Sequence, residues 1–299
     1  MLGNVEQHAA PTITLAIGGV RVQFASADPN LVMRVTFPRT RFVDRSSISP
    51  DSTIRVQYGD PNPSSKPWFV SGGTWEIHEG KLGGDRVVFY TALANGGRAP
   101  LSCLDLTPDL GHGELVVDRT YVRDDQLEVG FPLDEYLLAR LLARRSATIL
   151  HASCVAENGG AFVFTGHSGA GKSTISTIAQ QAGWRVLSDD RTILSLRDGV
   201  VHAEGTPFHG SHKSGMADSV PVHGIFLLEQ ADEDRADRMG ASRAFAEVLV
   251  RTVRPLVDIG EQSSIVETVE RVMKLVPAAV LRFRPTRAAL ATARAFVSK

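Results

Sequence analysis

Residues Gly166-His167-Ser168-Gly169-Ala170-Gly171-Lys172-Ser173-Thr174 fit the spacing G-x-x-x-x-G-K-[ST] of a phosphate-binding loop. The chemistry needs these types. Glycines let the backbone wrap an anion with successive N–H groups pointing inward. Lys172 would reach the β- and γ-phosphates of ATP, and the Ser173 hydroxyl would hold Mg²⁺. The flanks agree with this. Ala161 to Thr165 is an apolar run that reads as a buried strand, and Thr174 to Gln181, without Gly or Pro, reads as a helix. The competing reading is a glycine-rich turn that carries Lys-Ser by coincidence. The order strand, loop, helix favours the nucleotide.

A phosphate cradle that transfers phosphate needs carboxylates for the metal and for the acceptor hydroxyl. Asp189-Asp190 follow the apolar pair Val186-Leu187, where one carboxylate can face Mg²⁺ and the other the attacking hydroxyl. A solvated Asp-Asp-Arg turn is the alternative. His151 ends a strand candidate and is a candidate for steadying charge near the phosphate, although a lone histidine is more often structural. Glu229 is a rival metal-side carboxylate, with a strand-end polar residue as the favoured reading. The segment Gly205-Thr206-Pro207-Phe208-His209-Gly210, continuing through Ser211, His212, Lys213, Ser214 and Gly215, suits a mobile or substrate-binding loop as well as an ordinary connection. Arg243, Arg251 and Arg254 read as one helical segment, more a solvated face than phosphate ligands.

These residues need a framework of strands and helices. The chain has 299 residues, enough for two domains, with 43% hydrophobic and 22% charged residues. A net charge of -1 gives no global pull toward nucleic acid or membrane. Apolar runs are too short for a membrane span, and Met1 to Gly19 lacks the pattern of a secretory signal. Cys103 and Cys154 read as small buried hydrophobes rather than a disulfide framework, and a cytoplasmic setting is expected.

Residues 1–130 read as a β-rich N-terminal domain, for docking or scaffold. Ile13–Ile17 and Val20–Phe24 flank the turn Gly18-Gly19; Trp75–His78 pairs with Arg86–Tyr90; Glu114–Val117 is a further strand. Residues 131–299 read as the catalytic domain, with the change near Phe131-Pro132. Helices are expected over Leu133–Arg145, Ser242–Val253, Ser263–Leu275 and Arg287–Val297. Strands are expected at Thr148–His151, Trp184–Ser188, Gly224–Glu229 and Val280–Phe283, with a hairpin around Asp198-Gly199.

Taken in order, four motifs resemble the HPr kinase/phosphorylase C-terminal domain and its related kinases, grouped with the phosphoenolpyruvate carboxykinase fold. They are Leu150-His151-Ala152, Gly166 to Thr174, Leu187-Ser188-Asp189-Asp190-Arg191, and Gly205 to Gly210. The resemblance covers roughly Pro132 to Val276. It implies an α/β fold, with a P-loop kinase domain of the HPr kinase/phosphoenolpyruvate carboxykinase type after the β-rich domain. It also implies Mg²⁺-dependent transfer of the ATP γ-phosphate to a hydroxyl, serine of a protein or peptide. The implied roles are ATP phosphates on Lys172 and the loop amides, Mg²⁺ on Ser173 and Asp190, Asp189 as general base, and His151 near the γ-phosphate. A homo-oligomer is allowed. His167 stands where the bifunctional enzymes carry Asp, Thr174 where they usually carry an acidic residue, and no glycine-rich substrate signature follows. These departures point away from HPr as acceptor. The alternatives are an inactive nucleotide-binding regulator, a small-molecule P-loop kinase and, less fittingly, a carboxykinase.

Overall fold

A computed structural model of the chain describes residues 7–94, 96–130, 133–210, 214–254 and 258–298. The expected boundary at Phe131-Pro132 and the loop residues Ser211, His212 and Lys213 lie outside these. The chain is mixed α/β, with large sheets and five α-helices among the described residues. It divides into two compact units: residues 1–36 with 43–137, and residues 37–42 with 138–299.

The first unit carries β1 (Gln7–Ala10), β2 (Thr12–Ile17), β3 (Val20–Ser26), β4 (Val32–Thr36), β5 (Ser52–Tyr58), β6 (Phe69–Ser71), β7 (Trp75–Glu79), β8 (Asp85–Ala92), β9 (Arg98–Leu106), β10 (His112–Val117) and β11 (Gln126–Glu128). Eight form one sheet, in the order β2-β3-β5-β10-β9-β8-β7-β6; β1, β4 and β11 form a second. The expected hairpins are present. Ile17 faces Val20 across Gly18-Gly19, both at positive φ as a two-residue turn requires. Alternate residues Ile13, Leu15, Val22 and Phe24 are buried, as period-two patterning dictates.

The second unit holds α1 (Leu133–Ala143) from its residue 138 onward, β12 (Ala147–Glu157), β13 (Gly160–Thr165), α2 (Lys172–Gln181), β14 (Arg185–Ser188), β15 (Arg191–Arg197), β16 (Val200–Glu204), β17 (Ser219–Gln230), β18 (Arg235–Arg238), α3 (Ala241–Leu249), β19 (Thr252–Val253), α4 (Ile259–Leu275), β20 (Ala278–Phe283) and α5 (Ala288–Val297). Its strands run in the order β13-β12-β15-β16-β17-β20-β18, and a parallel pairing of β13 with β17 closes five of them into a ring. Strand β12 serves four neighbours: its first half pairs with β15 and β19, and its second half with β13 and β14. Its second half is hidden in sequence by Ala-Ser-Cys, small residues with little strand propensity.

Side chains alternate between two buried layers. Phe162, Phe164, Phe226 and Leu281 pack with Ile175 of α2 and Leu290 and Phe296 of α5. Val163, Ile225 and Leu227 pack on the other face with Val248 of α3 and Ile265, Val269 and Val272 of α4. The expected helix Ser242–Val253 needs correction: α3 ends at Leu249, and Thr252 and Val253 form β19 on β12. The β-branched pair favours a strand, so Arg243, Arg251 and Arg254 do not share a helix.

Candidate active site

The glycine-rich loop connects β13 directly to α2. Its backbone depends on two glycines: Gly169 has φ +80° and Gly171, the N-cap of α2, has φ +105°. With glycine at that position, no side chain caps the first N–H groups of the helix. An uncapped helix start leaves orphan donors and partial positive charge facing the loop, which suits an anion. A Cβ on Gly171 would lie 2.7 Å from Cζ of the buried Phe283, whereas one on Gly169 would meet nothing within 4 Å. Gly171→Ala therefore costs about 2–4 kcal/mol through left-handed strain plus overpacking, and Gly169→Ala only about 1 kcal/mol. Urea unfolding of the two variants checks this ordering.

Lys172 begins α2 and is buried. Its ammonium folds back over the loop and donates to the carbonyls of Gly166 at 3.1 Å and His167 at 3.2 Å. Burial lowers its pKa from the usual 10.5; Asp190 opposes the shift, while Arg251 and Arg191 add to it. A bound phosphate would add negative charge directly against this ammonium and favour its charged form. Gln230 braces the loop from β17, donating to Gly169 O at 3.0 Å. His167, Ser168 and Thr174 are exposed, and Ala170 is buried.

Ser173 Oγ donates to Asp189 Oδ2 at 3.3 Å, and Asp189 is 2% exposed. Asp190 faces the other way. Its carboxylate pairs with Arg191 and lies 3.3 Å from His151 Nδ1. Arg191 Nη1 is 2.8 Å from His151 Nδ1, the closest contact of that nitrogen. We assign Nδ1 as acceptor and the ring proton to Nε2. Burial lowers the His151 pKa below 6.5, and the charges of Lys172 and Arg191 lower it further. A depressed folded-state value means that the unfolded chain binds the proton first. This contribution to stability is complete above pH 6.5 and is lost as pH falls through the folded value. Denaturation from pH 7.5 to 5 should show wild type losing stability relative to His151→Gln. Parallel curves would show that His151 does not sense the site.

The turn after α3 completes the mouth. His151 N donates to Arg251 O at 2.9 Å, a bond set by the pairing of β19 with β12. Arg251 binds Glu247 O at 2.7 Å and Glu247 Oε2 at 2.5 Å, while its buried Nε has no hydrogen-bond partner among the described residues. A cleft of about 380 Å³ lies between His151, Gly166–Ser168, Arg191 and residues Val250–Val253. From sequence Arg251 reads as part of a solvated helix face; it lies instead at this cleft, and the β-branched pair after it was the available signal.

The remaining candidates sort plainly. Glu229 pairs with Arg282 at 3.3 Å and Arg243 at 3.9 Å, the strand-end role favoured from sequence. Arg254 is exposed beyond β19. Thr206 and Phe208 are buried, so the described start of the 205–210 segment is anchored, while Gly210 reaches the carboxylates. Cys103 and Cys154 are free and buried. Among the described residues no group of three or more His, Cys, Asp or Glu side chains is placed to hold a metal. A Mg²⁺ shared with phosphate oxygens needs only one or two protein oxygens, and a hydroxyl with a carboxylate is the hard donor set it takes. No helix among those residues is long and apolar enough to cross a membrane.

A mixed α/β unit with an uncapped glycine-rich loop beside a carboxylate pair is the class that fold and site define. A family profile described as SynChlorMet cassette protein ScmC matches residues 134–255, under half of the chain. Among solved structures, the HPr(Ser) kinase/phosphatase from Coxiella burnetii is similar at 12% identity and a TM-score of 0.31, over 50% of this chain and 99% of that one. No curated protein matches. At that score the structural likeness decides nothing about activity; the chemistry must come from the residues.

Proposed function

We propose that this chain is an ATP- and Mg²⁺-dependent kinase that transfers the γ-phosphate to a hydroxyl, serine of a protein or peptide. The observation that carries the reading is the convergence on one loop of an uncapped helix start, Lys172, and Ser173 beside Asp189. The loop from Gly166 to Thr174 acts as a P-loop. Lys172 exchanges its carbonyl partners for the β- and γ-phosphate oxygens. Ser173 and Asp190 would hold Mg²⁺, which would supply neutralising charge to the phosphates. Asp189 takes the proton of the acceptor hydroxyl as its oxygen bonds the γ-phosphorus, and the bond to the β–γ bridging oxygen breaks. His151, kept neutral by its surroundings, and Arg251 at the cleft mouth steady charge on the transferring group.

The hydrogen bond from Ser173 to Asp189 favours a second division of labour, with Asp189 on the metal side and Asp190 toward the hydroxyl. A Mg²⁺ titration of turnover separates the two. The metal-side Asp→Asn variant needs roughly tenfold more Mg²⁺, as loss of a ligand's support does. The base variant loses kcat at unchanged Mg²⁺ requirement. Turnover indifferent to both substitutions contradicts both divisions.

A further inference from the structure

Six residues from the first part of the sequence, Phe37–Phe42, belong to the second unit. They pack on the described limbs of one segment, residues 205–210 and 214–216. Arg41 Nη1 donates to Gly215 O at 3.0 Å. A Cβ on Gly215 would lie 3.4 Å from the Pro38 ring and 2.5 Å from Thr206 O, so only glycine passes between them. The guanidinium of Arg39 stands 6.0 Å from the ring centroid of the buried Phe208. The hexapeptide thus touches both limbs of the segment.

Those limbs are fixed on either side of the carboxylate pair. Gly215 bridges Ser188, the residue before Asp189, and Met216 N donates to Leu187 O at 3.0 Å. Thr206 Oγ1 donates to the carbonyl of Arg191, the residue after Asp190. Between the limbs, Gly210 offers the carboxylates a backbone without a side chain; a Cβ there would lie 3.5 Å from Asp189 Oδ2 and 3.8 Å from Asp190 Oδ1.

We propose that residues 37–42 are a positioning strap for the described limbs 205–210 and 214–216, which flank the carboxylates where the acceptor would enter, with Arg41 as its principal contact and Arg39 its second. The proposal rests on the reading of Asp189–Asp190 as the transfer site. The strap acts on how the acceptor meets the carboxylates and leaves the phosphate loop alone. Arg41 is exposed, so its truncation tests the strap without emptying a core.

The experiment compares full-length wild type, Arg41→Ala, Arg41→Lys and Arg39→Ala by amide hydrogen exchange, ATP affinity and γ-³²P transfer to host lysate. In Arg41→Ala, the Gly205 and Met216 amides exchange roughly tenfold faster, and transfer falls by a similar factor. ATP affinity is unchanged, Arg41→Lys recovers much of the transfer, and Arg39→Ala shows a smaller loss. Equal exchange and equal transfer in all four proteins overturn the strap, as does a loss of ATP affinity in Arg41→Ala. Wild type that binds no ATP and transfers no label overturns the kinase reading instead, and the strap's role with it.

Discussion

Lys172→Ala lowers affinity for ATP by roughly a hundredfold or more, measured by calorimetry with Mg²⁺ present. In the proposed complex the substitution would remove two charge-assisted contacts to phosphate, each worth about 1.5–3 kcal/mol. Thermal unfolding must accompany it, because the ammonium also satisfies Gly166 O and His167 O in the free protein. Lys172→Met keeps the apolar stem and isolates the charge. If both variants remain folded and bind ATP like wild type, the loop is a structural turn, and the strand-loop-helix order was a coincidence of spacing.

Asp189→Asn lowers the transfer rate by about a hundredfold to ten-thousandfold while ATP affinity changes only a few-fold, if Asp189 is the base. The amide keeps the shape of the side chain and can still face Ser173 Oγ, so the buried site stays filled. It cannot take the proton. If Asp189 instead lies on the metal side, excess Mg²⁺ recovers most of the loss, and Asp190→Asn shows the unrecoverable one. Arg191 and His151 bear on that second case. Asp190 is engaged by both, and removal of its charge also withdraws the partner that opposes the lowered pKa of Lys172.

How much of this was legible in sequence follows from where the signals are local. The strand, loop and helix around Gly166 to Thr174 were visible because closely spaced glycines between an apolar strand and a helix are a local pattern. The hairpins at Gly18-Gly19 and Asp198-Gly199 were visible for the same reason, and Asp198 and Gly199 take the positive φ values such turns use. Contacts between distant segments were not. Nothing in Ala152-Ser153-Cys154 announces a strand that serves four partners. Arg251 reaches His151 only through β19, two residues long and read as helix because the apolar spacing of α3 runs on into it. Residues 37–42 carry no motif at all; their place beside Gly215 is a property of the tertiary chain path. The division between the two carboxylates also escapes sequence, since adjacent aspartates point in different directions.

The most direct measurement is transfer of ³²P from γ-labelled ATP into host lysate by wild type, Asp189→Asn and Asp190→Asn, followed by phosphoamino-acid analysis of the labelled bands. A kinase of this kind gives Mg²⁺-dependent label on serine that both substitutions remove at low Mg²⁺, and that one of them removes at any Mg²⁺. ATP bound tightly by wild type, with no labelled protein, peptide or small molecule in any sample, would contradict it and leave a nucleotide-binding regulator in its place.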